Sequence, residues 1–91
     1  MHTVVEVNDM RLFWRSLEIM GDLSAQSSDF RNAVNAYNKM RYVGEYTENN
    51  ELRVRALIHL SDTCKLMHKY SVSRRFLKKA LQYVWFGDKN D

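Results

Sequence analysis

The chain repeats itself at an interval of 40 residues, and this repeat constrains its fold more than any other feature. Shifting the sequence by that interval aligns six identical pairs: Leu12 with Leu52, Arg15 with Arg55, Leu17 with Leu57, Asp22 with Asp62, Lys39 with Lys79 and Asn50 with Asn90. Conservative pairs, such as Met20 with Leu60 and Gly21 with Ser61, fall in the same register. A period of this length indicates two copies of one supersecondary unit.

Apolar residues recur within each copy at steps of three and four, which is the spacing of one helical face. The first copy provides two such stripes: Met10, Phe13, Trp14, Leu17, Met20 and Ser24, followed by Phe30, Ala33, Val34, Tyr37, Met40 and Gly44. The second copy provides two more: Val54, Leu57, Leu60, Ser61, Cys64 and Met67, followed by Val72, Phe76, Leu77, Ala80, Leu81 and Val84. We therefore expect four helices.

Polar residues that favour helix starts lie between the stripes. The first helix is predicted over about residues 9–24, capped by Asn8 or Asp9 after a short lead-in. Ser28 or Asp29 is expected to cap the second helix, and Ser71 the fourth. The chain has no Pro and three Gly, too few turn residues for an all-β fold. We predict one all-α domain over residues 1–91, with two tandem helical hairpins at about 9–48 and 49–88.

Composition limits the classes of protein and the compartment. The formal net charge of +3 is mildly basic, which permits a nucleic-acid partner without requiring one. One Cys excludes an internal disulfide and suits a reducing compartment. No apolar run reaches the roughly 18 residues of a membrane span, and the first residues do not read as a signal peptide. An intracellular, cytoplasmic protein is the expectation.

The stripe pattern resembles the tetratricopeptide repeat (TPR). The residues that carry the resemblance are Leu17, Met20, Gly21, Ala33 and Tyr37 in the first copy, and Leu57, Leu60, Ser61, Ser73, Leu77 and Ala80 in the second. The small residues Gly21 and Ser61 are expected where two helices cross closely. Ser24 and Cys64 stand where the family has an aromatic residue, the closing Pro is missing, and the period exceeds the usual 34 residues.

The resemblance implies a fold, a function and a setting. It implies a right-handed α-solenoid fragment that binds a partner's peptide or helix in a groove lined by the first helix of each hairpin, as a scaffold or adaptor. Long-period versions resemble the repeats of spindle-orientation adaptors, kinesin light chains and axonemal proteins, which favours a cytoskeletal or ciliary assembly. The groove residues carried over by the alignment are Arg15, Glu18, Ile19, Asp22, Gln26, Arg55, Ile58, His59, Asp62, Lys65 and Leu66. Glu18 and Asp22 would repel a peptide's terminal carboxylate, so a carboxylate clamp is not expected.

The last helix suggests two further surfaces. Its end is rich in large apolar residues, Tyr83, Val84, Trp85 and Phe86, which we expect to be exposed and to serve self-association or further repeats. Its basic patch comprises Arg74, Arg75, Lys78 and Lys79. That patch supports a rival reading as a nucleic-acid-binding domain, although it is more simply a solvated helix face. A closed four-helix bundle is a third reading.

Catalysis and cofactor binding are not expected. Cys64 and His68 are one helical turn apart, and His59 lies five residues before Cys64, but no second ligand pair completes a metal site. A Cys–His pair on one helix also lacks a third group to orient it for nucleophilic attack. Cys64 falls on an apolar stripe and is expected to be buried. Met10, Met20, Met40 and Met67 fall at stripe spacing and are expected to fill the core.

Overall fold

A computed structural model describes the backbone of residues 2–87 and the side chains of residues 10–87. These residues form four α-helices joined by short connectors, as the stripes predict. The helices are α1 (His2–Gln26), α2 (Phe30–Tyr46), α3 (Asn50–Leu66) and α4 (Tyr70–Phe86). The all-α prediction is therefore confirmed for the described residues.

The three connectors are built alike. Their middle residues, Ser28, Glu48 and His68, adopt left-handed backbone angles with φ of 61°, 53° and 63°. In each connector the last backbone N–H donates to a carbonyl five residues back, from Asp29 to Ser24 at 2.8 Å in the first. This is the Schellman motif, which closes a helix and reverses the chain. Because each connector reverses the chain, successive helices are antiparallel. The connector between the two hairpins has the same length as the connectors inside them.

The helix starts differ from the prediction in two places. Asp29 caps α2 by accepting a hydrogen bond from the Asn32 N–H at 3.4 Å, as expected. Ser71 does not cap α4, which begins one residue earlier, at Tyr70, with no side-chain hydrogen bond at its N-cap. The proposed caps Asn8 and Asp9 lie inside α1. A residue that can cap a helix does not by itself fix where the helix begins. Where no Gly or Pro interrupts the segment, the helix extends past it, because adding a turn to an existing helix is easier than starting a new one.

The helices lie side by side. Each one packs chiefly against the next in the chain. The Cα atoms extend over 46 × 33 × 12 Å. Three interhelical spacings of about 8–10 Å plus one backbone width give roughly 33 Å. A two-by-two bundle would be about half as wide, so the closed-bundle reading is wrong. The right-handed sense of the array stays a prediction.

The core runs between neighbouring helices. Its buried members are Leu17, Ala33, Tyr37, Met40, Val43, Leu52, Ala56 and Leu60. Cys64 is buried as predicted. Met20 is 58 % exposed, so the prediction that it fills the core is wrong, and Phe13 of the same stripe is also exposed. Both lie on the side of α1 that no described helix covers.

Close helix crossings explain the small residues of the pattern. A Cβ added at Gly21 would lie 2.7 Å from Tyr37 Cζ, inside van der Waals contact. Ser61 donates to the Ser73 backbone carbonyl at 2.9 Å, which holds α3 close to α4. A Cβ added at Gly44 would lie 3.0 Å from the Arg53 nitrogen on α3. The expectation that Gly21 and Ser61 mark close approaches is therefore confirmed.

Candidate functional site

A polar cluster joins α1 to α3 on the face predicted to line the groove. Arg55 Nε donates to Glu18 Oε2 at 2.6 Å, and His59 Nε2 lies 2.8 Å from the same oxygen. Arg15 is further away, with its guanidinium 4.0 Å from Glu18 Oε1. Glu18 is only 6 % exposed. The first helices of the two hairpins are thus cross-linked through one buried carboxylate.

The cluster keeps Glu18 ionised. Burial alone would raise its pKa, but hydrogen bonds and charge attraction from Arg55 and His59 outweigh burial and hold the pKa below its ordinary value. The hydrogen bond to Glu18 likewise raises the pKa of Arg55. The Arg55 guanidinium carbon lies 5.5 Å from the Trp14 ring centre, within cation–π range.

Tyr37 of α2 completes the cluster beneath His59. The two rings are stacked, with centroids 4.5 Å apart and planes 5° from parallel. The Tyr37 hydroxyl donates to Asp22 Oδ1 at 2.5 Å. Burial, and next the hydrogen bond to Asp22, raise the pKa of that hydroxyl. Gly21 leaves the room that the Tyr37 ring occupies, so hairpin 1 is filled here by its own side chain.

The equivalent place in hairpin 2 is open. A cleft of about 390 Å³ lies between α3 and α4. It is lined by Ile58, Ser61, Asp62, Lys65, Tyr70, Ser73, Arg74 and Leu77. Subtracting 40 from these numbers gives positions 18, 21, 22, 25, 30, 33, 34 and 37. This set includes Tyr37 itself, with Gly21 against its ring and Asp22 at its hydroxyl. The counterpart of Tyr37 in this cleft is Leu77, whose side chain is shorter, and no helix of the described residues stands beside α4 as α3, which carries His59, stands beside α2.

The charged side chains of the cleft have no partners among the described residues. Asp22 receives the Tyr37 hydroxyl, whereas its counterpart Asp62 makes no hydrogen bond or ion pair in residues 10–87. Lys65 and Arg74, which replace Ala25 and Val34 of hairpin 1, are exposed and similarly unpaired within that range. The cleft therefore offers an apolar floor with one acceptor and two cations.

The predicted groove residues occupy one continuous face. At 100° per residue, Lys65, Ile58 and Asp62 lie on the α4 side of that face of α3, and Arg55, Leu66 and His59 lie on the α1 side. Ile19, Ile58 and Leu66 are exposed apolar residues, and Gln26 is exposed as well. The structure thus brings Arg15, Glu18, Asp22, Arg55 and His59 together and places Ile58, Asp62 and Lys65 in the cleft.

Sequence reasoning missed the second-helix contributions to this site. In the sequence Tyr37 and Leu77 fall on core stripes and Arg74 falls in the basic patch, although each lines the cluster or the cleft. The replacement of Tyr37 by Leu77 in the 40-residue alignment was the available signal. An aliphatic residue at a repeat position where the other copy has an aromatic residue indicates that the space filled by the ring in one hairpin is left unfilled in the other.

The apolar end of α4 is exposed except at one predicted residue. Val84, Trp85 and Phe86 are 59 %, 70 % and 54 % exposed. Tyr83 is half-buried instead, because the Arg53 guanidinium carbon lies 5.2 Å from its ring centre and its hydroxyl donates to Glu45 at 3.4 Å. The prediction of an exposed face is therefore confirmed for three residues and wrong for Tyr83, which contacts the preceding helices.

The basic patch is solvated. Arg74, Arg75, Lys78 and Lys79 are all exposed, and none forms an ion pair with a carboxylate of residues 10–87. At 100° per residue they spread over the outward side of α4. The patch adds positive potential to that surface, and Arg74 also lines the cleft.

The described residues hold no group that could bind a metal. Within residues 10–87, no three His, Cys, Asp or Glu side chains converge in a ligand arrangement. Burial raises the pKa of the Cys64 thiol, which opposes nucleophile chemistry. His68 lies 2.8 Å from the Tyr70 hydroxyl rather than beside Cys64. None of the helices in residues 2–87 combines the length and apolarity that crossing a bilayer requires.

Comparisons with protein-family models, with curated proteins and with solved structures return no match to this chain.

Proposed function

We propose that the chain is a non-catalytic protein–protein interaction module of TPR type, which acts as a scaffold or adaptor. The observation that carries the proposal is the open cleft of hairpin 2 at the place that Tyr37 fills in hairpin 1. A partner's peptide or helix lies along the face of α1 and α3 and inserts a side chain into this cleft. The long repeat period favours a cytoskeletal or ciliary assembly as the setting.

The cleft suits an aromatic side chain with a hydroxyl group. In hairpin 1 the equivalent space holds a phenol ring whose hydroxyl donates to Asp22. In hairpin 2 the equivalent acceptor, Asp62, is unpaired within residues 10–87, and Ile58 and Leu77 provide apolar contacts. A partner tyrosine would reproduce the missing contact. Extended peptides are commonly recognised through such side-chain pockets.

A small-molecule titration followed by NMR tests the cleft. The probe is p-cresol, the tyrosine side chain without its backbone, and toluene is the matched ligand that lacks the hydroxyl. We expect amide shifts at Ile58, Ser61, Asp62 and Leu77, with tighter binding of p-cresol. Shifts scattered over the whole chain, or equal affinity for the two probes, would contradict the proposal.

One substitution closes the cleft as hairpin 1 closes its own. Leu77→Tyr should abolish the probe-induced shifts, because the new ring occupies the space as Tyr37 does. Leu81→Tyr, one turn further along α4 and outside the cleft, is the matched control and should leave them unchanged. Ile58→Glu should also abolish binding, since it puts a charge on the apolar floor.

Nucleic-acid binding is the second candidate, favoured by the unpaired cations of the basic patch. It predicts strongly salt-dependent binding of a single-stranded oligonucleotide that is lost when Arg74, Arg75, Lys78 and Lys79 are neutralised. The interaction-module proposal predicts that this quadruple variant still binds p-cresol. Arg74 lies at the edge of the cleft, so a triple variant that retains it is the cleaner comparison.

A further inference from the structure

The two outermost helices expose apolar faces at opposite sides of the array. On α1 the exposed residues Leu12, Phe13, Met20 and Leu23 have 51–67 % of their surface accessible. On α4 the exposed residues are Leu77, Leu81, Val84 and Trp85, at 39–70 %. Large apolar side chains exposed on one side of a helix are typical of interaction sites.

The internal repeat shows what covers the equivalent of the α1 face. The residues 40 positions after Leu12, Phe13, Met20 and Leu23 are Leu52, Arg53, Leu60 and Thr63, none of which is more than 8 % exposed. They lie on α3, which packs against α2 on one side and α4 on the other. The face of α1 is exposed because the described structure places no helix where α2 stands beside α3.

The repeat identifies the matching face on α4 in the same way. Forty positions before Leu77, Val84 and Trp85 stand Tyr37, Gly44 and Glu45 of α2. Tyr37 and Gly44 are buried. Glu45 Oε1 lies 3.4 Å from Arg53 Nε across the α2–α3 interface. The face of α4 is therefore the repeat equivalent of the α2 surface that α3 covers.

The two outer faces differ from their repeat equivalents inside the chain in a complementary way. The pair Glu45 and Arg53 at the α2–α3 interface corresponds to Trp85 on α4 and Phe13 on α1. A charged pair inside the chain is thus replaced on the outer faces by an aromatic pair. If α4 met an unrelated partner, nothing would require α1 to change in the complementary sense. This paired exchange selects a second copy of the chain as the occupant.

We infer that the chain associates head to tail with a second copy of itself, α4 of one copy packing against α1 of the next as α2 packs against α3 within the chain. Val84 replaces Gly44 at the closest approach, so this pair is more widely spaced than α2 and α3, and the rings of Phe13 and Trp85 fill the wider gap. A head-to-tail contact leaves one face free at each end, so it can continue beyond a dimer.

Light scattering over a dilution series tests the association with two complementary variants. The wild-type chain should rise above the monomer mass as concentration increases. Phe13→Glu puts a charge on the apolar α1 face, and Trp85→Glu puts one on the apolar α4 face. Each variant alone should therefore stay monomeric. Mixed in equal amounts, the two variants should form a species of twice the single-chain mass and no larger. The unaltered α4 face of Phe13→Glu can bind the unaltered α1 face of Trp85→Glu, and no further intact face remains.

Other arrangements give different results. With a symmetric contact of α4 with α4, Phe13→Glu would dimerise on its own and would not pair with Trp85→Glu in the mixture. Either result would overturn the inference. A wild-type chain that stays monomeric at every concentration would also overturn it. Tyr42→Glu, an exposed aromatic residue on α2 outside both faces, is the matched control and should associate like the wild type. Leu12→Glu and Val84→Glu replace the first pair if circular dichroism shows that either variant is unfolded.

The inference deepens the proposed interaction role, on which it rests. The association faces share only Leu77 with the p-cresol cleft, and neither Phe13 nor Trp85 lines that cleft. Ile58→Glu should abolish p-cresol binding and leave association unchanged, whereas Phe13→Glu should do the reverse. Failure of one proposal is therefore distinguishable from failure of the other.

Discussion

Glu18 on α1 accepts a hydrogen bond of 2.6 Å from Arg55 on α3, so a buried carboxylate links two helices that are not neighbours in the chain. Removal of a buried hydrogen-bonded charge leaves its partners unsatisfied. The pair therefore couples the first helices of the two hairpins and makes the stability of the array depend on one ionised group.

Replacing Glu18 should weaken the fold and reduce its acid sensitivity. Glu18→Gln should lower the free energy of unfolding by about 1–2 kcal/mol at pH 7, the low part of the range for charged partners because Arg55 is partly exposed. The pKa of Glu18 is lowered on folding. Its stabilising contribution is therefore complete above its ordinary pKa of 4.5 and is lost as the pH falls below that value.

Urea unfolding at pH 7 and pH 3 measures both effects. The wild-type chain should lose more stability between the two pH values than Glu18→Gln does. Equal losses in the two proteins would show that Glu18 is not the group whose protonation matters.

The two halves of the repeat provide a matched pair of aspartates. Asp22→Ala should destabilise the fold by about 1–2 kcal/mol, because it leaves the Tyr37 hydroxyl without its acceptor. Asp62→Ala, the same change 40 residues later, should lie within about 0.5 kcal/mol of the wild type, since Asp62 is exposed and unpaired within residues 10–87. Chemical denaturation compares them directly, and equal effects would contradict the assigned hydrogen bond.

Gly21→Ala should destabilise the fold even though Ala favours helices. The added methyl group would collide with the ring of Tyr37, which is held by stacking on His59 and by its bond to Asp22. Overpacking costs about 1–3 kcal/mol, against a helix-propensity gain of about 1 kcal/mol. In a Tyr37→Leu background the cost should disappear, because that change copies Leu77. A double-mutant cycle measures the coupling, and additive effects would argue against the clash.

Glu48→Gly should stabilise the chain by about 0.5–1 kcal/mol. Glu48 adopts a left-handed backbone conformation with φ of 53°, which costs a non-Gly residue roughly 1–2 kcal/mol, offset in part by the greater freedom of Gly in the unfolded chain. Thr47→Gly is the neighbouring control and should destabilise, since Thr47 has an ordinary helical φ and its hydroxyl donates to the Val43 carbonyl at 2.7 Å. Thermal unfolding distinguishes a rise in Tm from a fall.

Much of the fold could be predicted because its signals are local. The stripes predict four helices, one of the two predicted caps of α2, Asp29, is its N-cap, and Cys64 is buried as its place on a stripe indicates. The failures also have local causes. Asn8 and Asp9 are good caps in a segment with nothing to interrupt the helix, and α4 begins without the cap that Ser71 offered.

The candidate site could be predicted from the sequence only in part. The alignment correctly put Glu18, Arg55 and His59 on one face, but it could not show that they bond to one another or that Tyr37 stacks beneath them. Those contacts join residues at least 15 positions apart, and they depend on how the helices pack. Part of the stripe is exposed on α1 although its equivalent on α3 is buried: Met20 is 58 % exposed, whereas its counterpart Leu60 is fully buried.

The helices and their connectors could be predicted from the sequence, because they depend on interactions between residues only a few positions apart, and the 40-residue repeat is read directly from it. The tertiary structure decided which copies of that pattern are buried, which are cross-linked and which remain open. A repeat position acquires its environment from the neighbouring helix, and the two copies have different neighbours. Hence Tyr37 closes one hairpin while Leu77 leaves the other open. Likewise, Arg53 and Glu45 contact each other inside the chain, whereas their repeat counterparts Phe13 and Trp85 are exposed.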